Sequence, residues 1–409
     1  MEAIEQALEA AFANHDLPGI VLTAQDKTGK ISYSKAIGKL SYEDDANPIQ
    51  IDSTFYLAST SKLVTTIAAL QSVERGHFRL DEDVTRILPE FKGIQILTGF
   101  DEESGEPILV TSTRAITLRH LLTHSSGIGY DHFTPLLVQY RKWQKFPIDF
   151  HRPGKISTNY FYPLLFEPGT SYQYGAGIDW ASVLVQRVNG NISLEEYIQI
   201  NICAPLGVRD MTFHLEKHES VRGRVVPTSM RSGGLNEMGV AKDPNGEVED
   251  ANYKWFPDPV EEEYGGAGLI SSAAAYQEVL SSLTANDGKL LQPATVLEMV
   301  KPQLSAESRQ AFMEFRKLPH VAQFTAQGQE VGAELDYGLG SCLNLEDIPE
   351  GRKKGTISWS GLPNTYWWLD LEAGVSGTLF MSLFPMGDVV ANDLFNRFQR
   401  AVYNVLGAS

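Results

Sequence analysis

Ser59-Thr60-Ser61-Lys62 sets a serine hydroxyl and a lysine amine three residues apart. On a helix, residues at that spacing share a face, about 5–6 Å from each other. A serine hydroxyl is too weakly acidic to attack a carbonyl unaided, and Lys62 is placed to take its proton. The chemistry on offer is acyl transfer through a covalent ester on Ser59. The helix that this needs is legible: Leu63, Ile67 and Leu70 recur at i, i+4 and i+7, Val64 and Val73 widen the stripe, and Gly76 ends it. Ser59 then stands at the positive end of the helix dipole, which favours developing negative charge. Taken alone, the pair suits a helix N-cap and a solvated lysine equally well. About one or two S-x-x-K matches are expected by chance in a chain of this length, and a second exists, Ser32-Tyr33-Ser34-Lys35. It lies in an alternating run, Ile31 to Ile37, that reads as a strand, where i and i+3 point to opposite faces.

The elements around Ser59 suggest how it is held. Ile4, Leu8 and Phe12 predict a helix over residues 2–14, and Ile20–Ala24 and Ile31–Ile37 a β-hairpin. Near the other end, Tyr337–Leu343, Gly355–Ser360, Thr365–Leu371 and Ser376–Phe384 read as strands, followed by a helix over Val389–Leu406. Between them the pattern is mostly helical. Asp179–Val188 is stopped by Asn189-Gly190, and Ser193-Leu194-Glu195-Glu196 is a capping box for a helix reaching about Ile202. The expectation is an α/β fold of the α+β type. A mainly antiparallel sheet flanked by helices forms one domain (residues 1–60 and 265–409), and a helical domain (61–264) is inserted in it. Residues 227–264 look irregular and lid-like, while Tyr253, Trp255, Phe256 and Tyr264 imply that this stretch packs against something.

Whole-chain properties narrow the partners. The 409 residues are 43% hydrophobic and 21% charged, and 34 basic against 51 acidic residues give a net charge of −17. That balance argues against nucleic acid or an anionic membrane. No leader pattern and no membrane-length apolar run is seen. Cys203 and Cys342 are too few for a disulfide framework, so a cytoplasmic location is expected.

Three further motifs accompany the S-x-x-K helix: Thr117-Leu118-Arg119-His120-Leu121-Leu122-Thr123-His124-Ser125-Ser126-Gly127, Glu167-Pro168-Gly169 with Tyr172-Gln173-Tyr174-Gly175-Ala176, and Gly265-Gly266-Ala267-Gly268-Leu269-Ile270-Ser271-Ser272. Together they resemble the class C β-lactamase-like serine hydrolases over about residues 5–406. That group holds β-lactamases, D-Ala-D-Ala peptidases, family VIII esterases and some acyltransferases. Leu57-Ala58-Ser59, Asn201-Ile202-Cys203-Ala204-Pro205-Leu206-Gly207 and Tyr174-Gly175-Ala176 bring the chain nearest to its fungal lovastatin acyltransferase and statin esterase branch.

The resemblance implies Ser59 as nucleophile, Lys62 as its base partner and Tyr174 as the second acid/base group. Tyr172, two residues away, is the local rival. Which of Lys62 and Tyr174 first deprotonates Ser59 stays open. Trp359-Ser360-Gly361-Leu362 is similar to the W-x-G element of the esterase branch. Gly361 would let substrate approach, and the backbone N–H groups of Ser59 and Leu362 would form the oxyanion hole. Where lactamases carry a cation and an asparagine, this chain has Trp359 and Ala176. An apolar wall at Trp359 points away from penicillins and towards hydrophobic esters. Tyr130 and His132, after the glycine turn, and Phe384 and Met386, on the pocket rim, are further candidate substrate contacts.

Other chemistries fit less well. No G-x-S-x-G elbow exists. His120/His124 and His214/His218 stand four apart but lack the glutamate of a zinc helix. Gly265-Gly266-Ala267-Gly268 follows no Rossmann-like strand. Aromatics such as Phe133, Trp143, Tyr160 and Tyr162 serve as core or as substrate contacts. The expected function is a carboxylic ester hydrolase, with no cofactor or metal, acting on a hydrophobic acyl ester such as a statin-like polyketide side chain. The alternatives are an acyltransferase served by a thioester donor or carrier protein, a β-lactamase or peptidase, and a non-catalytic ligand-binding relative.

Overall fold

The computed structural model describes residues 1–148, 153–234, 241–251, 254, 257–318, 321 and 333–407. Its largest sheet has seven strands, numbered along the chain: β1 (Ile20–Asp26), β2 (Ser32–Ile37), β3 (Leu335–Tyr337), β4 (Cys342–Asn344), β5 (Ile357–Gly361), β6 (Thr365–Asp370) and β7 (Val375–Phe380). The spatial order is β3-β4-β5-β6-β7-β1-β2, every neighbouring pair antiparallel. The first and last parts of the chain therefore share one sheet, joined where Val21 pairs with Phe380 and Leu22 with Leu379.

Six helices matter here: α1 (Glu2–Ala13), α2 (Ser61–Glu74), α3 (Leu118–Leu122), α4 (Gly177–Val188), α5 (Ala273–Ala285) and α6 (Val389–Gly407). Successive side chains on a strand face opposite sides, so β6 sends Trp368 to one core and Trp367 to the other. The Trp368 side is closed by Ile4 and Leu8 of α1 with Leu394, Phe398 and Val402 of α6. Both helices present apolar residues at a spacing of three to four, as amphipathic helices on a sheet must. Truncating Phe398 to alanine would cost about 3–5 kcal/mol. The Trp367 side is covered by α5, where Gln277 accepts a hydrogen bond from Thr23 of β1 and donates one to Ser376 of β7. Beyond α5 the same core continues into α2, α3 and α4.

Several expectations need adjustment. Tyr337–Leu343 is two strands, because the chain reverses at Gly338–Ser341, with Gly340 left-handed (φ +81°). The run Ser376–Phe384 ends at Phe380, and Leu383-Phe384 pairs in parallel with Thr228–Arg231, which also pairs with Val248–Ala251. The stretch after Pro227 is thus partly a sheet rather than irregular throughout. Its Tyr264 donates to the Gly154 carbonyl at 2.9 Å, whereas Tyr253, Trp255 and Phe256 lie outside the described residues. Ser193 caps its helix through Glu196 N–H, but the last turns widen at Gln199–Cys203 before Gly207 ends them. Cys203 and Cys342 are free and buried. Among the described residues, no helix is long and apolar enough to cross a membrane.

Candidate active site

Ser59 sits in a short 3-10 turn, Ala58–Thr60, that runs straight into α2, rather than in the first turn of the helix itself. The turn is bolted on both sides. Leu57 N–H bonds the Leu269 carbonyl, Thr60 Oγ1 lies 2.9 Å from Thr365 Oγ1, and Tyr276 OH donates to the Thr60 carbonyl. Ala58, directly before Ser59, is left-handed (φ +46°). That conformation costs an alanine about 1–2 kcal/mol and is retained only where the surroundings impose it.

Lys62 is 0% exposed, and its Nζ donates to Ser59 Oγ at 3.1 Å, to the Gly266 carbonyl at 2.7 Å and to Tyr130 OH at 3.3 Å. Tyr174 OH donates to Ser59 Oγ at 2.6 Å, and its ring lies under the lysine, 4.9 Å from Nζ to centroid. Trp359 Nε1–H points at Tyr174 OH from 3.3 Å. Ser59, Lys62 and Tyr174 are therefore one contact group. Tyr172 is elsewhere, packed against Phe312, Phe315 and Tyr337.

A lysine buried this fully needs polar partners, and Asp179 adds a carboxylate at one remove. It lies on the inward face of α4, where Oδ2 accepts from Tyr130 OH at 2.9 Å and Oδ1 from Gly266 N–H at 2.8 Å. Gly266 carries no side chain because a Cβ there would stand 2.5 Å from Asp179 Oδ2. Burial pushes the Asp179 carboxyl above the usual carboxylate range, against the pull of Lys62 and the two donors. Burial and the neighbouring Asp179 charge hold the Tyr130 phenol well above its ordinary value, so it stays a donor.

The other candidates fall into place around this group. Trp359 is 1% exposed, its ring tilted against Tyr174 and edge-on to Tyr337. Gly361 is accounted for by the chain itself, since a Cβ would lie 2.1 Å from the Leu57 carbonyl. Leu362 follows it, half-buried, at the same strand end. Asn364 binds the Leu383 and Pro385 carbonyls, which sets half-buried Phe384 and Met386 beside that turn. His132 stacks on Tyr130 with ring centroids 5.3 Å apart. The Glu167 carboxylate takes hydrogen bonds from Ser112, Thr113 and Arg114, and holds that loop in place. His214 lies between Glu216 and Glu263, 2.7 and 2.9 Å away. A cleft of about 730 Å³ lined by Asp83, Arg86, Lys92 and Arg114 includes none of the residues around Ser59.

Residues 4–401 match the Beta-lactamase family model. The chain belongs to the β-lactamase family. It is 36% identical to the monacolin J acid methylbutanoyltransferase of Aspergillus terreus (98% of this chain, 95% of the relative). To the lovastatin esterase of Penicillium rubens it is 34% identical, over 99% of each chain. A LovD6 mutant of simvastatin synthase from Aspergillus terreus superposes with a TM-score of 0.89 at 35% identity, over 100% of this chain and 98% of the other.

Within this β-lactamase-family fold, the sequence reading overlooked three residues at the site. Asp179 reads as an ordinary acidic residue in a first helical turn, yet every residue from Gly177 to Val185 is buried. A lone acid within a largely apolar helical run was the available signal. Gly266 was noted only as part of a motif. His124 stood out only within a motif and as one of a four-apart histidine pair, and it packs against Tyr174.

Proposed function

We propose that this enzyme takes the acyl group of a hydrophobic carboxylic ester onto Ser59 and hands it to water. The observation that carries the reading is the double contact on Ser59 Oγ, 2.6 Å from Tyr174 OH and 3.1 Å from Lys62 Nζ. Ser59 Oγ attacks the ester carbonyl while its proton passes to the Lys62–Tyr174 pair in the form that holds one proton fewer, with either Lys62 as the uncharged amine or Tyr174 as the phenolate to receive it. The backbone N–H groups of Ser59 and Leu362 receive the oxyanion. The same pair returns a proton to the leaving alcohol, then draws one from the water that opens the acyl-enzyme. Trp359 Nε1–H supplies a hydrogen bond that strengthens whenever the Tyr174 oxygen carries negative charge. The site lies in the groove between a sheet domain (1–60 and 265–409) and a helical domain (61–264). With Trp359 and Ala176 where lactamases carry a cation and an amide, the polar anchors of a lactam are missing, which supports an apolar ester instead, and a statin-like polyketide ester is the substrate class we assign.

Transfer to an alcohol instead of water is the second reading, favoured by the methylbutanoyltransferase relative, with a thioester or carrier protein as acyl donor. Both readings share every step up to the ester on Ser59. Charging Ser59 from an activated thioester and following discharge by intact mass separates them. Loss of the acyl group in plain buffer supports hydrolysis. An acyl-enzyme that persists until a secondary alcohol is added overturns it.

A further inference from the structure

His124 ends the turn after α3 with a left-handed backbone (φ +56°) and 1% exposure. Few non-glycine residues accept that conformation, and here it produces a three-point hold. The His124 carbonyl accepts from Gln173 N–H at 2.9 Å. Its Nδ1 accepts from Gly175 N–H at 3.3 Å. Its ring packs on the Tyr174 ring with centroids 4.6 Å apart. The gripped residues are Tyr174 and its two chain neighbours. Because Nδ1 is an acceptor, the proton of the neutral ring sits on Nε2. Nε2 has no hydrogen-bond partner among the described residues, and the imidazole lies 6.0 and 5.4 Å, centroid to centroid, from the rings of Tyr172 and Tyr337. Burial, with the charge of Lys62, holds the imidazole well below its ordinary pKa. His120, one turn earlier, does a different job: it closes a capping box with Thr117.

We infer that His124 is a positioning residue for acyl transfer, a neutral imidazole that fixes the Tyr174 oxygen against Ser59 Oγ by holding the chain on both sides of it. The inference rests on the proton-transfer role given to Tyr174. Its leverage is geometric: a misplacement of about 1 Å in a reacting group costs about a hundredfold in rate.

A double-mutant cycle tests it on the full chain with an activated ester. His124→Phe keeps a ring of similar size and removes the Nδ1 acceptor. It should lower kcat about ten- to a hundredfold, with KM within about twofold. His124→Asn, whose side-chain oxygen can accept from Gly175 N–H and whose backbone tolerates the left-handed region, should recover at least about half of that loss on a logarithmic scale. In a Tyr174→Phe background, His124→Phe should cost almost nothing more, because the group it positions is gone. An equal cost in both backgrounds overturns the inference while leaving Tyr174 in its role. A Tyr174→Phe enzyme near wild type would instead remove the reading beneath it. Should His124→Phe fail to fold, ¹⁵N shifts of the wild-type ring decide. An Nε2–H tautomer unchanged between about pH 5 and 9 supports the inference, and a ring that titrates there overturns it.

Discussion

Two segments of this chain have the same S-x-x-K spelling and opposite fates. Ser59 and Lys62 lie 3.1 Å apart, the lysine fully buried among Ser59, Tyr130 and the Gly266 carbonyl. Ser32 and Lys35 sit on β2, the serine exposed and the lysine side chain 39% exposed, paired with Glu5 of α1 at 2.8 Å. A helical turn brings i and i+3 together, whereas a strand sends them to opposite faces. Surroundings complete the contrast. Lys35 has a carboxylate and solvent to satisfy it. Lys62 has a phenol, a carbonyl and, through Tyr130, the carboxylate of Asp179. Spacing therefore carries chemistry only where the backbone is helical and the lysine is walled off from water.

The largest effects should separate the two serines. Ser59→Ala should lower kcat by about 10⁴-fold or more while the fold and ligand binding persist, and Ser32→Ala should be nearly silent. More than about one part in a hundred of activity left in Ser59→Ala would end the distinction. Next come the lysines: Lys62→Ala should cost about 10³-fold in kcat, scarcely additive with Ser59→Ala because they act as one unit. Lys35→Ala should leave both turnover and melting temperature near wild type.

Asp179→Asn probes the environment rather than the motif, with an expected loss of about ten- to a hundredfold in kcat. Its pH profile gives the sign. A raised carboxyl takes up its proton above the usual carboxylate range as pH falls, so wild-type activity should begin to drop there. The asparagine variant should lack that limb, and an unchanged acid limb would free Asp179 of the role. The smallest effect is expected at Trp359. Trp359→Phe should cost about three- to tenfold in kcat by removing the Nε1–H donor. Trp359→Ala should hurt short and long acyl esters alike, given how the indole is buried against Tyr174. A penalty growing with acyl length, up to about 3 kcal/mol, would restore it as the acyl wall.

The terminal elements were legible because each is a long amphipathic or alternating run: α1, β1, β2 and α6 lie within a residue or two of where their periodicity places them. The short strands near Gly338–Ser341 and after Phe380 were misdrawn, since breaks there depend on turns that apolar content hides. Gly361 looked like room for substrate, and the fold adds a second reason for the glycine, since β5 crosses the Leu57 carbonyl there. Ser59, Lys62 and Tyr174 could be named from the sequence, because local spacing and motif are enough to nominate them. Their arrangement could not. Ser59 meets Tyr174 across 115 residues, Lys62 meets Tyr130 across 68 and Gly266 across 204. The roles proposed for Asp179 and His124 rest on what is buried beside them, and burial is a property of the folded chain: helical spacing is fixed by backbone geometry within a few residues, while the charge, donors and walls around Ser59 come from segments that only tertiary packing brings together.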